Sequence, residues 1–125
     1  MRLLLLVAAG GALGSVLRWL TSNGVQKLLP HTSFPWSTLA VNVIGSFAIG
    51  ALMTLALTRS TLPPEARLFL VTGVLGGFTT FSALSWETLT LLRDGATGPA
   101  LAYALGSLVL GLGAAFAGAA LALRA

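Results

Sequence analysis

Apolar residues along this chain fall into four long stretches, and most polar residues are gathered between them. The stretches cover about residues 3–29, 37–58, 67–92 and 98–123. Each is long enough to cross the ~30 Å hydrocarbon core of a bilayer as a helix rising about 1.5 Å per residue. The connections read "PHTSFP", "RSTLPPE" and "RDGATG", short segments in which proline, glycine and polar residues interrupt the helical pattern. The start, "MRLLLLVAAGGALG", imitates a signal peptide, but its apolar run continues past Gly14 and three further spans follow. The pattern predicts an all-α, multi-pass protein of the cell inner membrane. It reads as one four-helix transmembrane domain over residues 1–125.

The third stretch departs from the others. In "GVLGGFTTFSALSWE", Gly73 to Glu87, a glycine pair, two threonines, two serines and a glutamate interrupt the apolar run. Adjacent glycines each lower helix stability by about 1 kcal/mol relative to alanine. A break near residues 76–80 is expected. Irregular backbone at membrane depth is tolerated where the freed groups meet protein, water or ions. Carbonyls at the end of the first half-helix can then hold a cation, while amides at the start of the second favour an anion.

Composition supports the membrane reading and narrows the chemistry. Of 125 residues, 56% are hydrophobic and 8% charged, against about a quarter charged in soluble domains. Mean hydropathy is +0.94. The net charge of +4 does not mark a nucleic-acid partner, because Arg2, Lys27, Arg59, Arg67, Arg93 and Arg124 sit at the ends of apolar runs instead of on one face. Cysteine is absent and His31 is the only histidine, which leaves no basis for a thiol or imidazole metal centre. No nucleophile and base pair is evident, so the chain does not read as an enzyme.

Four spans put both termini on the side of the loop between the second and third helices. That side carries Arg2, Arg59, Arg67 and Arg124, against Lys27 and Arg93 opposite. The bias is small, so insertion in both orientations is consistent with it. Small residues recur along the helices, as at Gly10 and Gly14, Ser46 and Gly50, and Gly106 to Gly118. In lipid such residues mark close helix packing. Four helices can hardly enclose a pore of their own, so a homo-oligomer is expected.

Several polar residues need more than packing to explain them. Arg18 lies deep in the first span, on one face with Gly11 and Gly14, either snorkelling or serving as a vestibule cation for an anion. Asn42 in the second span, with Ser46 a turn later, is either helix-to-helix glue or a hydrogen-bond donor to an anion. Tyr103 and Ser107 place two hydroxyls one turn apart on the fourth helix, though Ser107 could bond back to its own helix. Phe81 follows the break, and the electropositive edge of its ring could meet a poorly hydrated anion.

"GGALGSVLRW" (Gly10–Trp19), "TLAVNVIGSFAIG" (Thr38–Gly50) and "GVLGGFTTFSALSWE" together resemble the three signature segments of the Fluc, or CrcB, family of fluoride channels, in the right order. The resemblance implies passive export of fluoride that relieves its toxicity in the cytoplasm. It implies an antiparallel, dual-topology homodimer in membrane lipid, with two fluoride pores and a structural sodium ion at the dimer centre. The sodium ligands would be the backbone carbonyls of Gly76 and Thr79. Fluoride would pass Asn42, Phe81, Ser82, Tyr103 and Ser107, with Arg18 in a vestibule and Glu87 near a pore end. Ala83 and Leu84 stand where the family pattern has a hydroxyl residue and a second phenylalanine, and Gly111 lacks a track hydroxyl. Leu84 therefore marks an altered second ring position in a less completely lined pore.

Two other readings compete. A small proton-coupled multidrug transporter of similar size needs a carboxylate near mid-membrane, and Glu87 lies toward one end of its span. A non-transporting membrane subunit would explain the small-residue faces but not the broken third helix with its hydroxyls.

Overall fold

The computed structural model describes residues 1–125 and is all-helical, with four long apolar helices of which the third is bent. Helix α1 spans Arg2–Leu28 and α2 spans Trp36–Arg59. Each ends with a basic residue in its last turn, Lys27 and Arg59, where the helix dipole favours a cation. The third crossing divides into α3, residues 64–78, and α4, Phe81–Arg93. The fourth is α5, Thr97–Arg124.

The third crossing starts at Pro64, ahead of the residue 67 that hydropathy indicates. Proline ends a helix when it falls inside one, but in the first turn its missing N–H leaves no bond unmade. Between α4 and α5 the turn is tight. Gly95 takes a φ of 78°, its N–H donates to the Leu92 carbonyl at 3.1 Å, and the Ala96 N–H donates to the Leu91 carbonyl at 2.8 Å. These bonds occupy carbonyls at the end of α4 and reverse the chain in three residues.

Two close crossings organise the protomer. In the first, α1 lies against α3 with Gly10 and Gly14 facing Gly73, Val74 and Phe78. A Cβ on Gly10 would come within 2.5 Å of the Phe69 carbonyl oxygen, and one on Gly14 would collide with the Val74 carbonyl. In the second, α2 lies against α5, and a Cβ on Gly50 or Gly118 would strike the facing backbone at Ala115 or Phe47. Lipid supplies no hydrophobic drive between helices, so backbone approach of this kind is what makes them associate.

Within α3, Leu68–Leu75 is wound as a π-helix, and the N–H of Gly76 reaches back five residues to the Val71 carbonyl. The residues that meet α1 are Phe69, Gly73, Val74, Gly77 and Phe78. Residues four and five apart, such as Phe69, Gly73 and Val74, thus share the face, as a turn wider than the 3.6 residues of an α-helix allows. The C-terminal part of α4 packs on α5 through Leu91, Ala100 and Tyr103, with Phe34, Leu39, Leu84 and Ala96 around them. Only 12 of 125 residues are buried, so most apolar side chains turn outward, as helices in lipid require.

Candidate functional site

The helix break lies at Thr79 and Thr80, both extended, with ψ of 156° and 110°. The sequence supplies its own closures on each side. Thr79 returns both its N–H and its hydroxyl to the Leu75 carbonyl, each at 3.0 Å, finishing α3. The Thr80 hydroxyl accepts the Ala83 N–H at 3.2 Å and so caps α4. Thr80 itself is held from α2, where Asn42 Oδ1 accepts its N–H at 2.8 Å and Asn42 Nδ2 donates to its carbonyl at 3.1 Å.

These side-chain bonds release particular carbonyls. In a continuous helix the Gly76 carbonyl would accept the Thr80 N–H and the Thr79 carbonyl would accept the Ala83 N–H. Both donors are diverted, one to Asn42 and one to the Thr80 hydroxyl. Gly76 is exposed, and a Cβ there would find its nearest neighbour 3.8 Å away. Packing within the protomer therefore does not demand glycine at 76, unlike at Gly10 or Gly14. Two hard oxygen donors released from their helical partners suit a small hard cation such as sodium.

A polar cleft of about 380 Å³ opens between α1, α2 and α4 and ends at the break. Ser15, Arg18 and Ser22 line it from α1, Thr38 from α2, and Thr80 and Glu87 from the third crossing. Arg18 is half-buried and forms no ion pair; the protomer's single ion pair joins exposed Arg2 to Glu65 at 3.4 Å. Glu87 accepts a hydrogen bond at each carboxylate oxygen, from the Thr38 hydroxyl at 2.8 Å and from the Tyr103 hydroxyl at 2.6 Å. The carboxylate is thus tied to two neighbouring helices. Arg18 and Glu87 both line the cleft without pairing with each other, and the walls otherwise offer mostly hydroxyls.

The other predicted residues separate into two groups. Phe81 is 79% exposed and Ser82 is also exposed, its hydroxyl 3.3 Å from that of Thr80. Leu84 turns the other way and packs against the Leu91, Ala100 and Tyr103 cluster. Tyr103 is fully buried with its hydroxyl committed to Glu87. The Ser107 hydroxyl is buried with no hydrogen-bond partner, so it does not bond back to its own helix.

Three features of the site go beyond the predicted pore residues. Thr38 fixes Glu87. Ser15 and Ser22 flank Arg18 on the cleft wall. Ser46 faces Gly111, where a Cβ would lie 3.4 Å from the serine hydroxyl, so α2 presents a hydroxyl beside the position where α5 lacks one. The signal was periodic. Ser15, Arg18 and Ser22 recur at helical spacing on α1, as do Thr38, Asn42 and Ser46 on α2.

Known proteins resemble this chain over most of its length. The family described as CrcB-like protein, Camphor Resistance (CrcB), matches residues 5–119. A protein of Thermus thermophilus named fluoride-specific ion channel FluC is 60% identical over 114 residues, which cover 91% of this chain and 88% of the relative. A protein of the same name from Agrobacterium fabrum is 54% identical over 117 residues, covering 93% and 92%. Another, from Chlorobaculum tepidum, is 50% identical over 122 residues, covering 98% and 95%.

Proposed function

The chain belongs to the CrcB family, and on that premise we propose that it is a fluoride-selective ion channel of the cell membrane that lets fluoride leave the cell passively. The observation that carries the proposal is the cleft that runs from unpaired Arg18 to the break at Thr80 between walls of hydroxyl donors. Fluoride is small and strongly hydrated, so a passage must replace its water with hydrogen-bond donors without trapping it. Hydroxyls and a side-chain amide meet that need better than a cation lodged in the narrow path. Arg18 at the mouth raises the local anion concentration by its field alone.

Beyond the cleft, fluoride passes Asn42, Phe81, Ser82 and Ser107, with Tyr103 beside the route holding Glu87 by its hydroxyl. The Ser107 hydroxyl, buried and without a partner, supports this route, because an orphan donor in a membrane interior calls for an anion or water. Asn42 uses one amide hydrogen on Thr80 and keeps the other for an ion. Glu87, held by Thr38 and Tyr103, stands at the pore end. With no energy-coupling element in the chain, efflux follows the gradient, aided by an inside-negative potential of about 2.3 kcal/mol per charge per 100 mV.

The channel is a homodimer of antiparallel protomers, with a structural sodium ion held by the carbonyls of Gly76 and Thr79 from each. Diversion of their helical donors supports those two carbonyls as ligands. The exposed ring of Phe81 and the open Cβ position of Gly76 support a second copy on that face. Sodium bound there would offset the partial negative charge of the Gly76 and Thr79 carbonyls.

The test is fluoride efflux from liposomes containing the purified protein, read with a fluoride electrode after valinomycin removes the potassium limit. Rapid fluoride release with chloride retained is the expected result. Retention of fluoride by liposomes that hold folded protein would overturn the proposal.

A further inference from the structure

A continuous third helix would return the Thr80 N–H to the Gly76 carbonyl. Here that N–H goes to Asn42 Oδ1 at 2.8 Å, while Asn42 Nδ2 donates to the Thr80 carbonyl at 3.1 Å. One side-chain amide thus replaces both backbone partners that Thr80 would have in a helix. We propose that Asn42 is a positioning residue for the cation site: its Oδ1 keeps the Thr80 N–H away from Gly76 and so holds the Gly76 carbonyl open for sodium. This rests on the sodium reading given above and adds to Asn42 a role that does not involve the anion.

The packing of α2 on the break supports this assignment. A Cβ on Gly45, almost one turn after Asn42, would strike the Thr79 side chain, so α2 lies directly on the broken segment. The amide is therefore held against Thr80 by a close helix contact. No other acceptor in the protomer takes the Thr80 N–H, and no protomer atom crowds the Gly76 Cβ position. In a membrane interior an N–H without an acceptor is strongly unfavourable. Remove Oδ1, and the Thr80 N–H regains a partner most directly by folding back onto Gly76. The carbonyl would then be lost to the cation although the residue that changed is on another helix. The two roles of Asn42 use different atoms: Oδ1 serves the break, and the amide hydrogen not bonded to Thr80 is free for fluoride.

Two variants of the full chain separate these roles. Asn42→Leu removes acceptor and donor together. Asn42→Asp keeps an acceptor oxygen and removes the amide donors. The readout is the midpoint of thermal unfolding of purified protein in detergent, in sodium chloride against N-methylglucamine chloride, alongside fluoride efflux. In the unmodified protein sodium raises the midpoint. Asn42→Leu loses that rise. Asn42→Asp keeps it while its fluoride efflux falls, and Ser107→Ala keeps it as a pore-side control. A rise in Asn42→Leu equal to that of the unmodified protein overturns the inference, as does its loss in Asn42→Asp. Should Asn42→Leu fail to assemble, Asn42→Ala, which removes the same groups without adding bulk, is read in its place by the same criterion. An unmodified protein indifferent to sodium overturns the sodium reading itself and the inference with it.

Discussion

Arg18 illustrates how little charge a membrane passage needs when that charge is left unpaired. Glu87 lines the same cleft but is held by Thr38 and Tyr103 and forms no ion pair with Arg18, so the guanidinium stays free to meet an entering anion. Arg18→Gln should lower fluoride efflux by about tenfold at low ionic strength, with the difference shrinking as salt screens the field. Efflux measured across a salt series checks this, and a salt-independent loss would point to a packing role instead. Ser46 offers a second test at this scale. Ser46→Ala should slow efflux by removing a hydroxyl from the route, and Gly111→Ser in the same background should restore it from the facing helix. A Cβ on Gly111 would lie 3.4 Å from the Ser46 hydroxyl, so a serine at 111 sets its own hydroxyl beside that position. Efflux of the single and double variants reads the outcome.

At the scale of elements, the α1 and α3 crossing determines where the break faces. The π-winding of Leu68–Leu75 brings Phe69, Val74 and Phe78 onto the one side that meets Gly10 and Gly14. An α-wound run of the same residues would turn the break by about one residue, roughly 100°. Gly14→Ala should therefore destabilise the protein by on the order of 1–3 kcal/mol, because the methyl falls on the Val74 carbonyl and the helices must part. Gly113→Ala, with open space within the protomer, is the matched control for that crossing. Thermal unfolding in detergent compares them, and equal midpoints would show that the crossing does not depend on Gly14. The break was legible in "GGFTTFS" because glycine pairs and capping threonines act locally. The π-winding was not, since it answers to the shape of a helix some sixty residues away in sequence.

At the scale of the whole molecule, 12 buried residues among 125 make a protomer whose surface must be covered by lipid or by a second copy. The weak charge bias between the two ends leaves antiparallel pairing open to direct test. The chain contains no cysteine, so Ala125→Cys provides a single label site. In intact cells or right-side-out vesicles, a membrane-impermeant thiol reagent should label about half of this variant, as insertion in both orientations requires. Labelling of nearly all or none would exclude the antiparallel dimer.

Hydrophobic pattern carried the number of crossings and the membrane setting, and the glycine pair with its threonines the place of the break, because each depends on residues that are neighbours in sequence. Residue types also singled out Arg18, Asn42 and Glu87, since polar groups in hydrocarbon require an explanation wherever they occur. What those groups touch was decided only by the tertiary fold. Asn42 meets Thr80 across 38 residues of chain and Thr38 meets Glu87 across 49. Such bonds exist only after glycine-lined crossings bring the helices together. Local pattern can show that a polar group needs a partner, but which partner it finds depends on the azimuth and depth at which whole helices pack.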